Sequence, residues 1–97
     1  MNLYGITTCD TCRKALKALG DVEFVDLKKQ TLPTEVIAAA FEQVGEALVN
    51  KRGTTWRGLS DEDKAREAID LVEAYPMVMK RPLIEEDGRF TVGWPRD

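Results

Sequence analysis

The chain has 97 residues, with 14 Lys and Arg, 17 Asp and Glu, two Cys and no His. A sequence of this length has room for one hydrophobic core, so we expect one domain spanning residues 1–97. The formal net charge of −3 creates no basic field that would hold DNA or RNA, and we expect no direct nucleic-acid binding. Because two Cys without His cannot complete a zinc site, we expect no metal.

The location of the protein follows from its apolar runs and its first residues. The longest apolar runs are only a few residues, far shorter than the ~20 residues of a membrane helix. Met1 is followed directly by a strand-like segment and not by a basic leader. We therefore expect a cytoplasmic protein with no membrane partner. In such a reducing compartment, two Cys spaced as C-x-x-C are more often redox-active than joined in a structural disulfide.

The first third of the chain predicts a β-α-β unit. Apolar and aromatic residues at 2–5 predict a strand. Asp10 is the candidate N-cap of a helix over 11–19, and Gly20 stands where a helix-ending glycine is expected. Residues 22–27 predict a second strand after a very short connection. The two strands are therefore expected to run parallel, joined by a right-handed crossover.

The middle of the chain predicts two helices separated by a loop. Apolar residues recur at helical spacing over 33–45. Residues 49–59 concentrate Gly, Thr and basic side chains without periodicity, which predicts a connecting loop. Ser60 begins a capping-box pattern, and helical spacing resumes over 61–74 until Pro76 ends it.

The last part of the chain predicts a β-hairpin and completes the fold. Apolar runs at 82–85 and 89–92 flank Asp87 and Gly88, a dipeptide typical of two-residue hairpin turns. The element order is then β-α-β-α-α-β-β. It predicts an α/β fold in which a parallel half and an antiparallel hairpin form one mixed four-stranded sheet flanked by helices. This is the element order of a thioredoxin-like domain.

The two Cys lie in the segment Cys9-Asp10-Thr11-Cys12, at the turn between the first strand and the first helix. Unpaired backbone N–H groups and the positive end of the helix dipole favour a thiolate at Cys9. The thiolate is the nucleophile in disulfide exchange and in oxyanion reduction, so we predict Cys9 as the nucleophile. Cys12 has two interpretations: a second redox sulfur, or a small core residue in phase with the apolar face of the helix.

Four segments of the chain carry a family resemblance. They are residues 3–15 (LYGITTCDTCRKA), 50–57 (NKRGTTWR), 80–83 (KRPL) and 92–94 (VGW). Together they resemble the arsenate reductase (ArsC)/Spx family, and within it the YffB-like branch. The resemblance covers nearly the whole chain, and it implies a thioredoxin-like fold with a helical insertion.

The resemblance implies a glutathione-dependent thiol oxidoreductase in which Cys9 attacks a disulfide or an oxyanion. Arg81 would bind the anionic substrate or glutathione, because a planar guanidinium suits carboxylates and oxyanions. Pro82 is expected to be the cis-proline that thioredoxin-like folds place beside the active Cys, and we assign it to substrate binding. Glutathione would be a co-substrate, with no tightly bound cofactor, and glutaredoxin would be a protein partner.

The chain also departs from the pattern of glutathione-dependent arsenate reductases, which place three arginines around the Cys. Only Arg81 matches this set. The first position holds Asn50, with Arg52 two residues later, and we assign both to substrate binding. The third falls near Gly93, so the resemblance favours thiol chemistry over efficient arsenate reduction. Family members also continue into a helical segment after the hairpin, whereas this sequence ends at Asp97.

Two alternatives remain open at the level of sequence. The first is an Spx-like transcriptional regulator, in which the C-x-x-C is a redox switch and the partner is RNA polymerase. The C-x-x-C is compatible with this alternative, whereas the 50–57 segment resembles the YffB-like branch. The second is a binding module in which both Cys stay reduced and inert; an ordinary pKa at Cys9 would favour it.

Overall fold

A mixed β-sheet and a series of short helices make up residues 1–95, the part of the chain that the computed structural model describes. The elements in chain order are β1 (Asn2–Gly5), α1 (Asp10–Leu19), β2 (Glu23–Asp26), α2 (Thr34–Val44), α3 (Thr54–Arg57), α4 (Asp61–Lys64), α5 (Ala68–Ala74), β3 (Leu83–Glu86) and β4 (Arg89–Val92). Two 3₁₀ helices lie at Gly45–Leu48 and Pro76–Val78. The chain forms two compact units, one of Met1–Thr31 with the residues from Arg81 onward, the other of Leu32–Lys80.

The sheet belongs to the first unit, and its strand order is β2-β1-β3-β4. β1 pairs in parallel with β2, where Leu3 stands opposite Phe24, and antiparallel with β3, where Leu3 stands opposite Ile84. β3 and β4 are antiparallel. The prediction of a mixed four-stranded sheet with a parallel first half is therefore confirmed.

The core of the first unit lies between the sheet and one face of α1. Its fully buried members are Leu3, Ala15 and Ile84. A ten-residue helix is marginal in water by itself, so α1 depends on this packing for its stability. The partly buried side chains around these three are Leu16, Leu19, Val22, Phe24 and Trp94.

Left-handed backbone occurs where the sequence predicted turns in the first unit. Gly20 ends α1 with φ of 73°, and its N–H donates to the Leu16 carbonyl at 3.0 Å. Asp87 and Gly88 have φ of 52° and 79° and connect β3 to β4 as a two-residue hairpin turn. Both predictions are confirmed.

The second unit is built on the packing of α2 against α5. Short antiparallel backbone pairing adds to it, with a bridge between Val49 and Met79 and a hydrogen bond of 2.8 Å from the Lys80 N–H to the Leu48 carbonyl. The side chains buried on the two helices are Ile37, Ala40, Ala68, Leu71 and Val72.

The start of α1 differs from the prediction by one residue. The helix begins at Asp10, and Cys9 is the N-cap instead of Asp10. The reason is that the Arg13 N–H bonds to the Cys9 carbonyl at 3.0 Å, which makes Cys9 the first acceptor of the helix. Cys9 is thereby fixed at the mouth of α1.

Two predictions for the helical region are wrong. The segment 49–59 is not a plain loop, because it contains α3, whose Arg57 N–H bonds to the Gly53 carbonyl. The predicted helix over 61–74 is two helices, α4 and α5. Ser60 caps α4 as predicted, but the Arg66 N–H then bonds three residues back to Asp63, which tightens the turn and ends α4.

Between residues 1 and 95, no helix combines the length and apolar character needed to cross a bilayer.

Close contact between Gly5 and Cys12 sets the distance between β1 and α1. Cys12 is fully buried, and a Cβ atom added at Gly5 would lie 2.5 Å from the Cys12 Sγ. Carbon and sulfur atoms that are not bonded do not approach so closely, so any side chain at position 5 displaces the helix or the buried sulfur.

We expect the Gly5→Ala variant to be destabilised by ~1–3 kcal/mol, as is typical of an overpacked core. Combining it with Cys12→Ala removes the sulfur and restores part of that loss. The measurement is urea unfolding of both single variants and the double variant. Gly58→Ala is the control, because its Cβ would meet the nearest atom at 3.4 Å. Strictly additive effects of the two substitutions would contradict the contact.

Candidate active site

Cys9 lies on the connection between β1 and α1, at the amino end of the helix. Its backbone is extended, with φ of −91° and ψ of 120°, and its N–H donates to the Ile6 carbonyl at 3.3 Å. The side chain is partly exposed. A half-exposed sulfur at the positive end of a helix is placed for attack on an incoming sulfur or oxyanion.

The groups around the Cys9 sulfur favour its ionised form. Partial burial raises the pKa of Cys9, but the Thr11 hydroxyl, the Cys12 backbone N–H, the Cys12 thiol and the Arg81 guanidinium together lower it to about 7. The Thr11 Oγ1 lies 3.0 Å from the Cys9 Sγ. Cys9 is therefore about half thiolate near neutral pH, where an ordinary thiol is almost entirely protonated.

Cys12 is in the opposite electrostatic state. Burial is the main reason that its pKa is raised to about 11, and its hydrogen bond to Cys9 and the nearby Cys9 charge raise it further. Interactions with the Ile6 backbone and Arg81 offset only part of this effect. At neutral pH Cys12 is thus a buried thiol. This supports its interpretation as a core residue, which also donates a hydrogen bond to the Cys9 sulfur.

Arg81 and Pro82 come immediately before β3 and lie in the same unit as the two Cys. The Arg81 side chain hydrogen-bonds to Cys9 and lowers the pKa of that thiol. The Arg81–Pro82 peptide bond is cis, as predicted. Pro82 is buried, and its carbonyl accepts a hydrogen bond of 2.9 Å from the Gly93 N–H. The roles of both residues in substrate binding stay predictions.

Asn50 and Arg52, the other predicted substrate-binding residues, lie in the second unit. The Asn50 side-chain oxygen accepts a hydrogen bond of 3.2 Å from the Arg52 N–H, which orders the turn that precedes α3. The Arg52 side chain is exposed. Their assignment to substrate binding stays a prediction.

Sequence reasoning missed Thr11, whose Oγ1 lies 3.0 Å from the Cys9 sulfur. The signal was its position two residues after the N-cap, since the first turn of a helix faces the capping side chain. Thr8 and Lys28 form a second polar contact beside the site, with the Lys28 Nζ 3.5 Å from the Thr8 hydroxyl.

The residues that the structure describes contain no group of three or more His, Cys, Asp or Glu arranged to hold a metal ion.

A β-α-β unit with a Cys at the start of its helix and a cis-proline before the next strand defines a thioredoxin-like thiol protein. The model of the ArsC family matches residues 4–97, and the chain belongs to the ArsC family. The family resemblance seen in the sequence is thereby confirmed.

Relatives with solved structures or curated sequences agree with this assignment. The chain is 35% identical to a solved YffB protein, with a TM-score of 0.88 over 96% of this chain and 90% of the other. It is 36% identical to an uncharacterized protein of Haemophilus influenzae, over 97% of this chain and 90% of that protein. It is also 25% identical to the global transcriptional regulator Spx of Enterococcus faecalis, over all of this chain and 81% of Spx.

We expect selective alkylation of Cys9 when the reduced protein is treated with iodoacetamide across a pH series. The rate follows the thiolate, so it falls as the pH drops through about 7, the pKa of Cys9. Cys12 stays unmodified at neutral pH because it is buried and its pKa is about 11. Peptide mapping by mass spectrometry assigns each adduct. A midpoint near 9 for Cys9 would show that the surrounding groups do not stabilise its thiolate.

Proposed function

We propose that the protein is a glutathione-dependent thiol oxidoreductase with Cys9 as its nucleophile. The observation that carries this proposal is a Cys9 thiol with a pKa of about 7 that is hydrogen-bonded to the Arg81 guanidinium. A thiolate beside a fixed cation suits a substrate that is both a disulfide and an anion. A glutathione mixed disulfide, with its carboxylates, has both properties.

In the first step, the Cys9 thiolate attacks the glutathione sulfur of a mixed disulfide between glutathione and a second thiol. A new sulfur–sulfur bond forms between Cys9 and glutathione while the original one breaks. The second thiol leaves as a thiolate and takes a proton from solvent. Arg81 binds a glutathione carboxylate during this step and orients the disulfide for attack.

In the second step, a further glutathione thiolate attacks the glutathione sulfur that is bound to Cys9. Oxidised glutathione forms and Cys9 leaves as a thiolate. The net reaction converts one mixed disulfide and one glutathione into one free thiol and one oxidised glutathione. Asn50 and Arg52 are proposed as additional substrate-binding groups, and glutaredoxin as a partner that accepts the glutathione in place of free thiol.

The buried state of Cys12 favours this monothiol cycle. An internal disulfide forms when a Cys12 thiolate attacks the sulfur of Cys9 in its mixed disulfide, and Cys12 is a buried thiol with a pKa of about 11. Cys12 instead donates a hydrogen bond that stabilises Cys9 as nucleophile and leaving group.

A second candidate function is a redox-switch regulator that binds RNA polymerase. The similarity to Spx over the whole chain supports it, as does the hydrogen bond between the Cys9 and Cys12 side chains, which brings the two sulfurs within reach of each other. In this alternative an internal disulfide changes the affinity for the polymerase, and no substrate is turned over.

We expect a lasting glutathione adduct on Cys9 when the reduced protein meets oxidised glutathione. Intact mass and peptide mapping are compared for the wild type, Cys12→Ser and Cys9→Ser. The monothiol cycle predicts the same adduct in the wild type and Cys12→Ser, and none in Cys9→Ser. If the wild type instead loses two hydrogens and only Cys12→Ser retains glutathione, an internal disulfide forms and the regulator or a dithiol reductase is favoured.

We expect the Arg81→Gln variant to reduce glutathione mixed disulfides with kcat/KM lowered about 10- to 100-fold, the typical effect of losing a hydrogen bond to a charged group. The measurement is steady-state reduction of a glutathionylated peptide by glutathione. Arg89→Gln is the control, because Arg89 is an exposed arginine of the same unit. Equal activity of the two variants would remove Arg81 from substrate binding.

A further inference from the structure

The Thr11 hydroxyl lies between two acceptors that belong to distant parts of the chain. Its Oγ1 is 3.0 Å from the Cys9 Sγ and 3.4 Å from the Arg81 carbonyl oxygen, to which it donates. Thr11 is in the first turn of α1 and is partly buried. The contact to the sulfur is one of those that lower the pKa of Cys9.

The hydrogen-bond inventory of a hydroxyl limits what Thr11 can do at one time. It has one proton to donate and two lone pairs that accept. When Cys9 is protonated, its S–H donates to the Thr11 oxygen, and Thr11 donates to the Arg81 carbonyl. When Cys9 is a thiolate it only accepts, so the Thr11 proton must point at the sulfur for the 3.0 Å contact to remain favourable.

The two arrangements differ in strength. A hydrogen bond from a hydroxyl to an ionised acceptor is roughly twice as strong as one to a neutral carbonyl. The contact to sulfur is also shorter than the contact to the Arg81 carbonyl. Once Cys9 ionises, the better partner for the Thr11 proton is therefore the sulfur.

We propose that Thr11 is the positioning residue of this site, and that its hydroxyl proton turns from the Arg81 carbonyl to the Cys9 sulfur when Cys9 loses its proton to solvent. The role of this exchange in turnover rests on the proposed function. In the proposed cycle Cys9 is a thiolate twice, as the attacking group of the first step and as the leaving group of the second. Thr11 donates a hydrogen bond to it in both steps.

Two other side chains, Cys12 and Arg81, also donate to the Cys9 sulfur and lower its pKa. Cys12, from the same helix, has a pKa raised to about 11 by burial, so it is still a thiol when Cys9 ionises. Thr11 differs from a simple donor in that a second acceptor, the Arg81 carbonyl, lies within reach of its hydroxyl. The direction of its proton can therefore change when Cys9 titrates.

The experiment titrates Cys9 by the ultraviolet absorbance of its thiolate in four variants, each with Cys12→Ala as background. Thr11→Val keeps the shape of the side chain and removes the hydroxyl, whereas Thr11→Ser keeps the hydroxyl. Thr11→Ala is the second deletion, for use if the valine is not tolerated in the helix. Thr8→Val is the matched control, because Thr8 adjoins Cys9 in sequence but its hydroxyl contacts Lys28.

We expect the midpoint to rise by about one pH unit or more in Thr11→Val and Thr11→Ala, the effect of losing one hydrogen bond to a charged group. Thr11→Ser and Thr8→Val keep the midpoint of the parent. The midpoint is a better readout than a rate at one pH. A one-unit rise lowers the thiolate fraction at pH 7 about fivefold but raises the nucleophilicity of the remaining thiolate about threefold, so the rate falls only about twofold.

An unchanged midpoint in folded Thr11→Val or Thr11→Ala, or a midpoint in Thr11→Ser that follows the deletions, overturns the inference. Circular dichroism establishes folding in each case. The titration contains no glutathione and no substrate, so it tests Thr11 independently of the proposed function. A shifted midpoint in a protein that does not reduce mixed disulfides would reject the proposed function and leave the role of Thr11 in place.

Discussion

The contact between β1 and α1 at Gly5 is the constraint on which the site depends. Because position 5 has no side chain, the helix lies close enough to the strand to bury the Cys12 sulfur completely. That burial fixes the rotation of α1 about its axis. The helix then begins at a set point on the strand connection, with Cys9 at its open end and Thr11 turned toward the segment before β3.

Two Cys three residues apart differ by about four pH units in acidity because they occupy two different environments. Cys9 accepts hydrogen bonds from several donors and is partly exposed to water. Cys12 is buried in the core, where its sulfur has no contact with water. The hydrogen bond from the Cys12 thiol to the Cys9 sulfur increases the difference between their pKa values, because it lowers the pKa of Cys9 and raises that of Cys12. One sulfur is therefore partly ionised near neutral pH, and the other is a buried thiol that packs in the core and donates a hydrogen bond to its partner.

Turns and strands with clear local patterns could be predicted from the sequence, whereas the way distant segments meet at Cys9 was suggested only by the element order and the family resemblance. The hairpin turn and the end of α1 at Gly20 follow from local glycine chemistry. The one-turn helix α3 was missed because four residues show too little periodicity. The position of Cys12 on the apolar face of α1 did not decide between its two interpretations, because a core residue and a redox sulfur are both compatible with that face. The acidity of Cys9 depends on Arg81, more than 70 residues away, and the role of Asn50 stays a prediction.

The placement of Arg81 makes one contribution to the acidity of Cys9 a late property of the chain. In the sequence, the whole of Leu32–Lys80 lies between the β-α-β unit and Arg81. During synthesis the ribosome therefore releases Cys9 well before it releases Arg81. Closing a loop of this length is entropically costly until the sheet forms. A nascent or unfolded chain therefore carries a Cys9 thiol of more ordinary acidity, which is less open to oxidation. The contribution of Arg81 is added to those of Thr11 and Cys12 only when β3 takes its place beside β1.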